Sequence, residues 1–256
     1  MGFATQNYAV SSQSLQAAPS PLWHPVVSLL PDAAKNFCIE RGQIITLEPD
    51  EAPPRDHVFF STFGALGVFI QDSPICIDTV LPGSVWGWDY AIGRNPFEAK
   101  ALTACEGFLV PAGELKQRMD DLWLSRLMNA NGTLRAKRLA SEAACNAMHT
   151  CLQRTAKWIS RLWRAGAGGN VKITQSDMAE ITGFQRTSVN AACGALQDRG
   201  ALRILRGRLQ VLDIDALAAI ACGCDGHHHA PAPKAEEKPR VVATHKRMDE
   251  RDLVQT

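Results

Sequence analysis

Between Gln185 and Asn190 the chain reads QRTSVN, which groups two amides, a guanidinium and two hydroxyls within a short stretch. Such groups hydrogen-bond base edges: arginine pairs bidentately with guanine, and asparagine or glutamine with adenine. Further on, Arg203, Arg206 and Arg208 crowd around Gly207, a pattern suited to phosphate oxygens, which fix position without reading sequence. A second group stands near the end of the chain. Cys222, Cys224, His227, His228 and His229 offer the sulfur and imidazole donors that hold Zn²⁺, Ni²⁺ or Cu⁺. A solvated tail with accidental clustering is the preferred reading of these five, because folded metal sites need supporting outer groups. No metal is assigned on the sequence, and the five are the candidates if one binds. No nucleophile–base pair, phosphate loop or HExxH helix is present, so the chain does not read as an enzyme.

The elements around the first group follow from VKITQSDMAEITGFQRTSVNAACGALQDRGALRILRGRLQVL, residues Val171–Leu212. Thr174 followed by Asp177 is a helix start of the capping-box type, with Asp in the usual place of Glu. Ile173, Met178 and Ile181 give that helix an apolar face, and Gly183 ends it. A second helix begins near Gln185 with Val189, Ala192, Cys193 and Leu196 on its apolar face. Gly200 closes it. Ala179 and Ala192 supply the small side chains needed where the helices cross. Ala201–Leu205 and Arg208–Leu212 then read as strands around an Arg206-Gly207 turn. Two short helices joined by a glycine turn make a helix-turn-helix, and the basic hairpin is its wing. The same order also describes an αα-hairpin followed by an unrelated β-hairpin. On the helix-turn-helix reading, the DNA-binding candidates are Thr174, Gln175, Gln185, Arg186, Thr187, Asn190, Arg203, Arg206 and Arg208. Cys193 lies on the apolar face and reads as a packed thiol rather than a redox switch.

Upstream, short apolar runs broken by Gly and Pro predict strands at Gln43–Leu47, His57–Phe63, Ala65–Ile70, Ile75–Leu81, Val85–Trp88, Ala99–Ala104 and Phe108–Val110, an all-β roll or barrel. From Glu114 to Ala165 proline is absent and helix formers dominate. Leu124, Leu127, Asn131, Leu134, Arg138, Ser141, Cys145 and Met148 follow heptad-like spacing, a seam for a partner helix. A helix lying on the barrel with Ala140, Ala143, Ala144 and Ala147 against the sheet fits the pattern equally well. Residues 1–20 and 222–256 have the composition of disordered segments. With a net charge of +1, any nucleic-acid surface must be a local patch. No apolar run spans a membrane, and the first residues, MGFATQNYAVSSQSLQAAPSP, lack the basic and apolar regions of a secretory signal, so a cytoplasmic protein is expected. Its eight cysteines are then reduced thiols rather than disulfides. His57 and His149 read as structural.

Taken together, these segments give a sequence that resembles the Crp/Fnr family of bacterial transcription regulators. The resemblance rests on VKITQSDMAEITGFQRTSVNAACGALQDRGAL, on LPGSVWGW as the family's Pro-Gly-x-x-x-Gly barrel turn, and on DHVFFSTFGALGVF as its strand pair. Lys137-Arg138-Leu139 and Lys157-Trp158-Ile159 stand where the family's long helix and the next helix carry similar residues. The resemblance covers about Arg41 to Leu217.

It implies an α+β chain: a cyclic-nucleotide-binding-like (cupin-like) β-roll at 21–121, a dimerisation helix at 122–150 and a winged helix-turn-helix at 151–221. It favours the seam reading, with Leu124, Leu127 and Leu134 at the dimer interface. It implies a homodimer, double-stranded DNA and RNA polymerase as partners, and no membrane. The family's cyclic-AMP readers carry Gly-Glu where this chain has Gly87-Trp88, and an Arg-Ser or Arg-Thr pair where it has Asn95-Pro96. These departures argue against cyclic-AMP binding. Trp86, Trp88 and Arg94 are the candidates for the effector pocket, although Trp86 and Trp88 also suit plain core filling. The family's iron–sulfur branch needs clustered N-terminal cysteines, which are absent here. No cofactor is assigned and the effector is unidentified. Thr187 and Ala191 replace the family's usual Glu and Arg, so its usual half-site is not carried over. The alternative to a gene regulator is a small-ligand or redox sensor module acting mainly through protein partners.

Overall fold

The computed structural model describes residues 35–45, 57–70, 73, 75–87, 97–166 and 170–227. The expectations for residues 1–20, for Trp88, Arg94 and Asn95-Pro96, and for His228 and His229 lie outside the described residues. Among the described residues the N-terminal half has eight strands: β1 (Lys35–Ile39), β2 (Ile44–Ile45), β3 (His57–Phe63), β4 (Leu66–Ile70), β5 (Cys76–Val80), β6 (Val85–Trp86), β7 (Phe97–Ala101) and β8 (Cys105–Pro111). They pair antiparallel in two four-stranded sheets, ordered β1-β8-β3-β6 and β2-β7-β4-β5. This is the roll expected from the punctuated apolar runs. β3 matches its expected bounds, while β7 begins at Phe97 rather than Ala99. β1 has no local signature: KNFCI lacks a clean alternation, and it forms by pairing along β8 from Lys35↔Leu109 to Ile39↔Cys105.

Glycine is required at one turn in particular. Gly64 has φ +81°, and a Cβ there would stand 2.1 Å from the Ala104 carbonyl oxygen. Gly83 and Gly87, the glycines of the Pro-Gly-x-x-x-Gly turn, are also left-handed at 89° and 96°.

Side chains alternate across the sheets and divide the core. Phe59, Leu66, Val68, Trp86 and Leu109 fill the space between the sheets. Val58, Phe60 and Val110 face outward from the first sheet and are covered by Leu115 of α1 (Ala112–Arg118) and by Leu124 and Leu127 of α2 (Asp121–Met148). Phe69, Cys76 and Leu102, on the second sheet's outer side, join a larger core built on Trp158, Ile159 and Leu162 of α3 (Cys151–Ala165). The roll and the C-terminal half thus share a continuous apolar contact. Among the described residues no helix is long and apolar enough to cross a membrane.

The 28-residue helix α2 corrects the sequence reading. Leu124, Leu127, Arg138 and Cys145, all in the expected partner seam, are buried in the chain's own interior, and Leu134 is half-buried. The opposite face, roughly 180° away at helical spacing, carries exposed Ala136, Ala140, Ala143, Ala144 and Ala147. Leu122 at 61% and Met148 at 76% exposure flank it. The helix does lie on the roll, but by the seam rather than by the alanines. The reason lies in long-range contacts: leucines near its start dock on Val58 and Phe60, and farther along Asp78 draws Arg138 inward.

Asp78 on β5 is buried and forms a two-pronged pair with Arg138, at 2.7 Å from Nε and 3.2 Å from Nη2. Arg135 Nε lies 3.7 Å from the same carboxylate. The Arg135 guanidinium also stands over Trp86 and Phe97, 5.4 and 4.7 Å from the ring centroids.

A second correction concerns the tail expected from residue 222. Cys222 is only 5% exposed, and Gly223–His227 forms a 3-10 turn whose Asp225 pairs with buried Arg161 of α3. A buried guanidinium needs a carboxylate, and this segment supplies one.

Breaking a buried pair on one side leaves an uncompensated charge, at a cost of about 3–5 kcal/mol. Arg138→Met should lower stability in urea denaturation by about 3 kcal/mol, a little softened by Arg135. The double variant Asp78→Leu/Arg138→Met should recover more than half of that loss. Equal stabilities for the single and double variants would show that the pair does not fasten α2 to the roll.

Candidate nucleic-acid interface

The C-terminal half begins with α3, started by a Thr150–Gln153 capping box. It continues through β9 (Asn170–Val171), α4 (Gln175–Thr182), α5 (Arg186–Asp198), β10 (Leu202–Leu205), β11 (Arg208–Val211) and α6 (Ile214–Ile220). The local chemistry follows the sequence closely. Thr174 caps α4 with the anticipated Asp177 capping box, and Gly183 ends the helix at φ +71°. Val189, Ala192, Cys193 and Leu196 of α5 are buried, and Val189, Cys193 and Leu196 share a core with Met178 and Ile181. Arg154 of α3 locks the turn, donating to the Thr182 carbonyl at 2.9 Å and lying 4.4 Å from the Phe184 ring centroid. β10 and β11 pair from Leu202↔Val211 to Leu205↔Arg208, with Gly207 left-handed at 74°, and β9 extends them to three strands.

With its apolar face buried, α5 turns Gln185, Arg186, Thr187 and Asn190 outward, and all are exposed. Arg203, Arg206 and Arg208 are exposed on the hairpin beside it. A convex helix end bearing base-reading groups next to a cationic hairpin has the shape and charge to enter a major groove. Thr174 and Gln175 differ from the rest of the set. Both are half-buried, and the Thr174 hydroxyl is committed to its capping box. The α4 side turns toward the roll: Asp177 pairs with Arg41, and Glu180 with Lys100 at 3.3 Å. Between them is a cleft of about 300 Å³ lined by Phe69, Leu102, Ile173 and Ile181.

Cys193 sits in the apolar core, and burial pushes its thiol up to about 11, which fits packing rather than redox chemistry. Trp86 is buried between the sheets, so of the three effector-pocket candidates the one described fills core. Cys222 and Cys224 meet Cys145 and His149, with all four donor atoms within 4.8 Å of one another. The sequence does not suggest this grouping, because Cys145 reads as part of the partner seam and His149 as a structural histidine.

Residues 153–220 match the family model of the Crp-like helix-turn-helix domain. No curated protein matches the sequence. Solved structures match over most of the chain at low identity. A transcriptional regulator of the CRP/FNR family from Thermus thermophilus superposes with a TM-score of 0.58 at 20% identity, covering 73% of this chain and 98% of that one. FixK2 from Bradyrhizobium japonicum gives 0.55 at 18% identity, covering 74% and 98%. The c-di-GMP responsive global regulator CLP from Xanthomonas campestris gives 0.52 at 12%, covering 75% and 99%. Residues 153–220 are therefore similar to the Crp-like helix-turn-helix domain, and the chain shares the fold of solved CRP/FNR-family transcriptional regulators.

Proposed function

We propose that the chain is a homodimeric, sequence-specific DNA-binding transcription regulator of the Crp/Fnr type. The observation that carries this reading is the exposed quartet Gln185, Arg186, Thr187 and Asn190, backed by a buried α5 face and flanked by the wing arginines. Arg186 reads a base, with Gln185, Thr187 and Asn190 beside it in the groove. Arg203, Arg206 and Arg208 contact phosphates, and Thr174 and Gln175 lie nearest the backbone at the start of α4. The protein works in the cytoplasm, with RNA polymerase as its protein partner.

A bidentate arginine–guanine contact discriminates by about 1–3 kcal/mol. Arg186→Ala should lose preference at one base pair of each half-site. Arg206→Ala should weaken all sequences alike and lower the salt slope by about 0.9. Titrations of a selected site and its single-base variants at several salt concentrations check both. Equal weakening of every variant by Arg186→Ala would make Arg186 a phosphate contact.

Dimerisation supports the reading because two recognition helices must meet successive major grooves, about 34 Å apart. The face of α2 that remains for a partner is the alanine side, since Leu124 and Leu127 are spent in the chain's own core. Ala140 and Ala143 are exposed on that face and allow close helix approach. The double variant Ala140→Glu/Ala143→Glu should sediment as a folded monomer and bind the selected site at least about tenfold more weakly. A variant that remains dimeric would place the interface elsewhere.

The roll does not bind cyclic AMP on this reading, because Trp88 and Asn95 stand where the family's nucleotide readers have a carboxylate and a cation. Isothermal titration of the protein with cyclic AMP at micromolar concentrations should give no heat beyond dilution. A saturating isotherm would restore the nucleotide pocket.

A further inference from the structure

Four donor side chains converge where α2 passes into α3. Cys145 lies in the last turn of α2 and His149 is its C-cap, so the two stand one helical turn apart on one side. Cys222 and Cys224 arrive from the segment after α6. Cys145 Sγ is 3.4 Å from Cys222 Sγ, and Cys224 Sγ is 3.6 Å from His149 Nδ1. A tetrahedral zinc ion with ordinary bond lengths sets sulfur–sulfur edges of about 3.8 Å and sulfur–nitrogen edges of about 3.6 Å. Both distances are close to those edges, and all four donor atoms lie within 4.8 Å of one another.

The surroundings resemble an outer shell. Lys157, only 1% exposed, donates from Nζ to Cys145 Sγ at 3.2 Å and to Glu142 at 2.8 and 2.9 Å. Arg161 bridges Glu142 and Asp225. Burial alone would raise the Glu142 carboxyl, but Arg161 and Lys157 outweigh it and hold it below its usual range. Glu142 therefore stays ionised and fixes the lysine that faces the sulfur. A pair of buried thiols would fill core space without help. It would not bring half-buried Cys224 and His149 to the same point, nor aim an ammonium at a thiol.

We propose that Cys145, His149, Cys222 and Cys224 form a structural site for a zinc-class divalent ion. Three thiolates and one imidazole are all protein ligands, leaving no open position, which is the composition of a closed structural site. Lys157 supplies the hydrogen bond to sulfur that outer groups give in such sites. The ion ties the segment after α6 to the α2–α3 junction and so sets the angle at which α3 carries the helix-turn-helix. The site does not depend on the DNA-binding reading.

The full chain, purified without an affinity tag under reductant, would be assayed for zinc, stripped with a chelator and titrated with Co²⁺. About one equivalent should bind per chain, with the thiolate-to-cobalt charge transfer and visible bands of a tetrahedral ion. The variant His227→Ala/His228→Ala/His229→Ala should behave like the natural chain. The variant His149→Ala/Cys224→Ser should lose at least about tenfold in affinity together with the tetrahedral spectrum. Cobalt bound without charge transfer would overturn the site. So would an unchanged spectrum in His149→Ala/Cys224→Ser, loss of the spectrum in the triple histidine variant, or a Cys145–Cys222 disulfide in the reductant-purified chain. Alkylation of the unmutated protein gives a reading independent of variant folding. Zinc should protect Cys224 and leave exposed Cys38 reactive, and equal reactivity of Cys224 with and without zinc would sink the proposal.

Discussion

A long helix with charges on its buried face has to be matched, charge for charge, by whatever it packs against. α2 is such a helix. Arg138 meets Asp78 from the roll, and Glu142 meets Lys157 and Arg161 from α3. Near its start, Leu124 and Leu127 dock on the roll's outer face. Apolar contact holds one end, and paired charges fix rotation and register along the remainder. Buried pairs are weak sources of net stability, yet an unmatched one is heavily penalised. A slip of one residue along α2 would strand Asp78 and Glu142 together, so the pairs exclude alternatives more than they add stability.

The same charges explain why α2 is the element that its sequence misrepresents. Heptad-like spacing locates the correct stripe, because Leu124, Leu127, Arg138 and Cys145 do share a face. It does not reveal what the stripe faces. A partner helix and the chain's own roll impose the same period, and what separates the two is distant in sequence: Val58 and Phe60 under the leucines, and Asp78, sixty residues away from Arg138. The cysteine cluster is hidden for a similar reason: Cys145 and Cys222 are 77 residues apart, and no local pattern announces their meeting.

The helix-turn-helix is legible because its signals are local. The Thr174–Asp177 box, the left-handed Gly183, the Val189–Leu196 face and the Arg206-Gly207 turn each lie within a few residues of what they determine. Burial of one side of α5 then leaves no freedom over which side chains face outward. The roll is legible as a class, with β3 placed correctly, whereas β1 depends on an edge that only β8 provides.

The winged helix meets the roll through two kinds of contact of unequal strength. Asp177–Arg41 and Glu180–Lys100 are partly exposed ion pairs, each contributing about 0–1 kcal/mol and screened by salt. Beneath them, Phe69, Cys76 and Leu102 are buried in the same core as Ile173, Met178 and Ile181. Burial of a side chain of that size contributes about 1.5–3 kcal/mol and is not weakened by moderate salt. The position of α5 relative to the roll is therefore set by apolar contact. On the proposed reading, in which the wing arginines meet phosphate, salt acts mainly there, so the ionic-strength dependence of DNA binding reports the interface rather than a loosening of the molecule behind it.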